Sequence, residues 1–138
     1  MNRADFQNLA TIRLAEAQAL LGSGNSSGAY YLAGYAVECA LKACIAKETR
    51  EHDFPPRPEA VRDMYTHDLT KLVKIAGLQN DLVSLLAADP TFNRNWLITK
   101  AWSEQARYGT FETSLANDLI NAINDPAHGV LSWLQQSW

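Results

Sequence analysis

The sequence predicts an all-α protein, an up-and-down bundle of about five helices in a single domain spanning residues 1–138. Three observations carry that expectation. The segment Gly28 to Ala46, GAYYLAGYAVECALKACIA, contains only two charged residues, Glu38 and Lys42, and its apolar residues recur at helical spacing. No stretch shows the apolar–polar alternation of a half-buried strand. Glycine, serine and proline separate the periodic segments and supply the short connections that a bundle needs.

A first helix is predicted from about Ala4 to Leu21, with Phe6, Leu9, Ala10, Ile12, Leu14, Ala17, Leu20 and Leu21 on its apolar side. The run GSGNSSG at 22–28 stops it, and Ser26 or Ser27 is suited to cap the next helix by accepting from its unpaired amides. On that long second helix Ala29, Leu32, Ala33, Ala36, Val37, Ala40, Leu41, Cys44 and Ile45 form one wide apolar arc. Tyr31, Tyr35, Glu38 and Lys42 form a narrower, semi-polar stripe. Gly34, Ala36, Ala40 and Ala43 are small enough for neighbours to approach closely, although glycine lowers helix propensity by about 1 kcal/mol relative to alanine. Apolar groups around most of the circumference point to a homodimer.

Residues 49–66 contain Pro55, Pro56 and Pro58 and read as a long surface loop. His67-Asp68-Leu69 opens a short third helix that ends at Gly77, and His67 is placed to cap or orient its start. A further short helix covers Asn80 to Ala88 and stops before Pro90. Residues 93–106 form the next, with Trp96, Leu97, Ala101 and Trp102 facing inward and Arg107-Tyr108-Gly109 closing it. The last begins near Thr113, is interrupted at Asp125-Pro126 and resumes to Trp138.

Hydrophobic residues make up 47% and charged residues 20% of the chain, a composition that folds rather than stays disordered. A net charge of -3 lacks the global basic signature of a nonspecific nucleic-acid binder, so nucleic acid would need a local basic site. Cys39 and Cys44 point to different sides of one helix and can neither bridge each other nor build a zinc site. Reduced thiols and an N-terminus with acidic residues inside its pattern, lacking a signal peptide, fit a cytoplasmic protein. The second helix nearly has the length of a membrane span, but two charges near its middle argue against one. GxSxG, GxxxxGK[ST] and metal-ligand spacings are absent, so no cofactor and no metal are expected.

Chemistry centres on Glu38 and Lys42. An acid four residues before a base is the favoured orientation for a helical ion pair, worth about 0.2 to 0.5 kcal/mol when exposed. The pair either solubilises the one wet strip of a packed helix or joins Tyr31 and Tyr35 as one wall of a polar groove. In the second case Arg107, with Tyr108 beside it, is the natural anion-binding partner.

The pattern Ala36-Val37-Glu38-Cys39-Ala40-Leu41-Lys42-Ala43, then Thr66-His67-Asp68-Leu69, then Ala106-Arg107-Tyr108-Gly109 before a final helix resembles the HEPN domain family over nearly the whole chain. The resemblance implies an all-α bundle, commonly dimeric, that associates with nucleotides or RNA. Many relatives are ribonuclease toxins paired with a nucleotidyltransferase-like antitoxin, or parts of defence systems. Ribonuclease members carry an arginine and, a few residues later, a histidine near the last major helix. Here Arg107 is followed by Tyr108, Gly109, Thr110, Phe111, Glu112 and Thr113, with no histidine. A formal match, Arg62 to His67, lies in the proline-rich loop instead.

The expected function is therefore a noncatalytic or degenerate HEPN-like module that binds a nucleotide, RNA or a nucleotidyltransferase-like partner through Tyr31, Tyr35, Glu38, Lys42, Arg107 and Tyr108. A divergent metal-independent endoribonuclease using Arg107, or Arg62 with His67, is the alternative. A third reading makes the seam a dimerisation surface alone.

Overall fold

The Asn2 side chain accepts from the Asp5 amide at 3.0 Å while the Asp5 carboxylate accepts from the Asn2 amide at 2.8 Å. This reciprocal capping box satisfies two amides that a helix start leaves unpaired, and it fixes the beginning of α1, Arg3–Gly22. Gly24 turns the chain at φ +83°, a conformation that disfavours other residues, and α2, Ser26–His52, follows. The chain continues through α3 (Pro58–Asp63), α4 (Leu69–Ile75), α5 (Gln79–Ala88), α6 (Pro90–Lys100), a 3-10 turn (Glu104–Tyr108), α7 (Thr113–Asn124) and α8 (Val130–Gln135). The computed structural model describes residues 1–52 and 58–138, without the side chains of 50–60. Among the described residues all regular structure is helical, and no helix is long and apolar enough to cross a membrane.

The all-α class is as expected, but the elements are more numerous and shorter than a bundle of about five helices. Two prolines explain part of the difference. Pro58 and Pro90 each occupy the first position of a helix, where the missing N–H removes a donor that would be unpaired anyway. Residues 49–52 continue α2 instead of starting a loop, and Pro55 and Pro56 lie outside the described residues. The helix expected over 93–106 ends at Lys100, and Arg107 and Tyr108 belong to the separate 3-10 turn.

α2 is the axis of the molecule: α1, α4, α7, α8 and the 3-10 turn all pack on it. Val37 and Leu41 are wholly buried with Leu72 of α4, Leu119 and Ile123 of α7, and Val130 and Leu134 of α8. Beside them the Trp133 ring stands edge-on to Phe92 at 5.4 Å and to Trp96 at 6.1 Å between centroids. α6 turns Phe92, Trp96 and Thr99 inward at helical spacing. That register leaves Leu97 51% exposed and Ala101 exposed, contrary to the inward placement expected for them. Trp102 is buried as expected.

A second corner is held by charge. His128 Nδ1 lies 2.6 Å from one oxygen of Asp89, whose other oxygen accepts from the amides of Thr91 and Phe92 at the start of α6. The hydrogen bond from Phe92 and that with His128 lower the Asp89 carboxyl below its ordinary range, and the bond to Asp89 raises the His128 imidazole above its own. A raised histidine stabilises the fold below its unfolded pKa and loses that contribution as pH rises through the folded value. A lowered carboxylate stabilises above its unfolded pKa and loses its contribution as pH falls through the folded one. The melting temperature should therefore fall on both sides of a mildly acidic maximum. His128→Asn should flatten the limb between about pH 6 and 8 in calorimetry; an unchanged limb would assign it elsewhere.

Candidate functional site

α2 contributes a carboxylate that is almost out of reach of water, since Glu38 is 1% exposed. A buried charge requires partners, and it has two. Lys42, one turn along, donates from Nζ to Glu38 Oε1 at 2.9 Å, and His67 Nδ1 lies 2.6 Å from the same oxygen. The other ring nitrogen, His67 Nε2, is 3.3 Å from Glu104 Oε2, and Arg107 Nη2 is also 3.3 Å from that oxygen. Lys42, Glu38, His67, Glu104 and Arg107 thus form one row drawn from α2, the turn before α4 and the 3-10 turn. A neutral imidazole has a single N–H for one carboxylate, whereas the imidazolium donates to both. Side-chain exposure is 2% at Glu38, 31% at Glu104 and 46% at Arg107. His67, at 45%, is as open as Arg107, so a ligand can meet the row from His67 to the arginine end but not at Glu38.

Both contributing turns are fixed to the core. Leu69, Leu72 and Val73 bury α4 on its inner side, and Asp68, not His67, caps that helix by accepting from the Lys71 amide at 3.1 Å. His67 is left to reach across to Glu38. The 3-10 turn is anchored before and after. Before it, the Trp102 ring lies so close to the backbone of α2 at Gly34 that a Cβ there would stand 2.2 Å from the indole. After it, Phe111 stacks on Tyr30 at 4.0 Å, its carbonyl accepts from Ser26 Oγ at 2.6 Å and its amide donates to Ser27 Oγ at 2.8 Å. The hydroxyls expected to cap α2 serve instead to hold Phe111. Ala106 is buried between these anchors, while Arg107 and Tyr108 point outward, the guanidinium 5.2 Å from the centre of the Tyr108 ring.

The expected stripe divides in two. Glu38 and Lys42 join Arg107 through His67 and Glu104. Tyr31 and Tyr35 pack on each other with ring centroids 6.2 Å apart, and Tyr31 also stacks on Trp102 at 6.2 Å. Burial, reinforced by the neighbouring Cys39, pushes the Tyr35 hydroxyl up to about 12, so it stays protonated. Arg62 is exposed and does not reach the row; it lines a separate groove with Tyr65, Lys71 and Lys74. Cys39 and Cys44 are free, buried thiols pushed up to about 11 by burial, which suits packing and not nucleophilic chemistry.

Next to the row lies a cleft of about 390 Å³ lined by Thr66, His67, Thr70, Lys100, Trp102, Ser103, Glu104 and Gln105 among others. Its size suits a small ligand. The indole Nε1 of Trp102 is buried without a hydrogen-bond partner. Among the described residues no group of three or more His, Cys, Asp or Glu side chains is arranged to hold a metal ion. Sequence reasoning missed Glu104 and gave His67 the wrong task. The one local signal for Glu104 was its position three residues before Arg107, the spacing of a helical ion pair. No protein-family model, no curated protein and no solved structure matches this chain.

Proposed function

We propose that this chain is a noncatalytic, HEPN-like module of the cytoplasm that binds a nucleotide or RNA at the open end of the charged row. One observation carries the reading: Arg107 and Tyr108 stand exposed side by side on the 3-10 turn whose Glu104 lines the cleft, and the one carboxylate contact of Arg107, to Glu104, is a solvent-exposed 3.3 Å pair, whereas Lys42 is held at 2.9 Å by a buried carboxylate. A guanidinium suits a phosphate and an exposed phenol ring suits a base. His67 faces a carboxylate at each ring nitrogen, Glu38 at 2.6 Å and Glu104 at 3.3 Å, a setting that favours holding Glu104 in place. Glu38 and His67 act as the support that holds Glu104 and, through it, Arg107. A nucleotidyltransferase-like antitoxin remains the protein partner that the resemblance implies.

A homodimer belongs to the same proposal, although α2 is covered within its own chain. Val83, Leu97 and Leu115 on α5, α6 and α7 are among the exposed apolar groups available to a second copy, and sedimentation velocity at micromolar protein reads the state directly.

The alternative, a divergent metal-independent ribonuclease, draws support from one contact. The histidine lacking after Arg107 in sequence is present in space as His67, with Nδ1 held by the buried Glu38, an arrangement that orients an imidazole for proton transfer. Purified protein incubated with single-stranded RNA and with adenosine monophosphate separates the two. The binding reading expects intact RNA and a loss of about tenfold in nucleotide affinity for Arg107→Ala and for Tyr108→Ala, the scale of one stacking or phosphate contact. Cleavage by wild type that disappears in Arg107→Ala and His67→Ala would replace it with the enzymatic one.

A further inference from the structure

The cations of this acidic chain are not spread evenly. Arg62, Lys71 and Lys74 line one groove of about 540 Å³ together with Asp63, Tyr65, Thr66 and Ile75. All three cations are exposed, and among the described residues none forms an ion pair. Arg62 and Lys74 each stand in the last turn of a short helix, where the helix dipole favours a positive charge. That accounts for each of them singly. It does not account for Lys71, one turn before Lys74 on the same face of α4, or for the convergence of all three on one concavity. Three cations against one carboxylate, in a protein of net charge -3, make a local field that attracts polyanions.

The position of the groove gives that field a direction. Thr66 lines both this groove and the cleft beside His67 and Glu104, so the two concavities meet at that residue. Tyr65, 78% exposed, supplies an aromatic face in the groove as Tyr108 does at the row. Cations that follow a backbone, interleaved with exposed aromatic rings, are the hardware of single-strand binding.

We infer that the Arg62–Lys71–Lys74 groove is a second contact site for the phosphodiester backbone of a single-stranded RNA whose other contact is at Arg107 and Tyr108. The inference rests on the proposed nucleotide-binding reading and extends it from a mononucleotide to a strand. Tyr65 stacks on a base, Arg62, Lys71 and Lys74 neutralise successive phosphates, and the strand crosses Thr66 between the two sites.

Fluorescence anisotropy with a short labelled single-stranded RNA, and calorimetry with adenosine monophosphate, test this on the full chain at several salt concentrations. Lys71→Ala combined with Lys74→Ala changes only exposed side chains. It should weaken RNA at least tenfold and flatten the slope of log affinity against log salt by about 1.4, since each phosphate contact to a single strand contributes about 0.7. Mononucleotide affinity should stay as in wild type, and Tyr65→Ala should weaken RNA without altering the salt slope. RNA affinity and salt slope unchanged by the lysine pair would overturn the groove while leaving the Arg107 reading in place. If the lysine pair weakens RNA but Arg107→Ala leaves mononucleotide binding intact, the Arg107 reading falls and the groove stands. Wild type that binds neither probe overturns both.

Discussion

Gly34→Ala should be among the most damaging single substitutions in this protein, with a loss of about 3 kcal/mol or more in chemical denaturation. The added Cβ would lie 2.2 to 2.3 Å from the Cγ, Cδ2 and Cε2 atoms of Trp102, a distance at which one of the two must move. Neither can move freely. Gly34 is buried within α2, which packs against α1, α4, α7, α8 and the 3-10 turn. Trp102 is 3% exposed and stacked on Tyr31. A loss of that size is a large share of the ~5–15 kcal/mol that keeps a domain folded.

The same substitution has an unusual second expectation, which separates this mechanism from a general intolerance of α2. Trp102→Ala alone should cost about 3 to 5 kcal/mol through the cavity it leaves. In that background Gly34→Ala should no longer destabilise and should gain up to about 1 kcal/mol, because alanine is the better helix former and the ring that blocked it is gone. Additive losses in the double variant would show that the methyl group meets something other than the indole. The ligand site should feel both changes, since Trp102 is part of the cleft wall and anchors the 3-10 turn that carries Glu104 and Arg107.

How far the sequence foretold this arrangement can be followed residue by residue. The apolar arc from Ala29 to Ile45 announced a central helix because periodicity is a local property and α2 is nearly uniform along its length. Gly34 could be recognised as a place of close approach, though its partner, an indole from a turn 68 positions later and not a second helix, could not. The helix before Pro90 ends at Ala88 as expected, but Pro58 and Pro90 each also begin a helix, which was not foreseen because proline both ends helices and begins them; its effect depends on whether the preceding residues have already left the helix. Glu38 and Lys42 were legible as a pair within one helix. Their link to Arg107 was expected, but its intermediates were hidden: His67 meets a carboxylate 29 residues away, and no spacing rule encodes such a contact. Once Asp68 is recognised as the cap of α4, His67 is free to point elsewhere, and among the described residues the buried carboxylate within its reach is Glu38. Ser26 and Ser27 carry the same lesson, since a hydroxyl at a helix start can bond to a distant strap such as Phe111 as well as to its own helix.

Glu38→Ala is the second substitution from which a large effect is expected, about 3 kcal/mol, and the reason lies in what it leaves behind. Lys42, with 17% of its side chain exposed, would lose the carboxylate that its ammonium group faces, and His67 would lose the bond that fixes Nδ1. An exposed pair of the same residues would be worth only about 0.2 to 0.5 kcal/mol, so the size of the loss reports the burial of the carboxylate. Lys42→Met should also destabilise, because it strands a buried charge with His67 as its remaining partner. Glu38→Gln combined with Lys42→Met removes both charges while keeping side-chain volume and a hydrogen-bonding group for His67. This double variant should recover much of the stability that either charge loses alone, a non-additivity of about 1 to 3 kcal/mol in a double-mutant cycle. At the open end of the row the expectation reverses: Arg107→Ala removes an exposed 3.3 Å contact and should shift stability by no more than about 0.5 kcal/mol while it weakens ligand binding. A Glu38→Ala protein with an unchanged denaturation midpoint would reduce the row to a solvated surface feature. A midpoint lowered as expected, with Arg107→Ala as stable as wild type, would divide the row into a structural half at α2 and a binding half at the 3-10 turn.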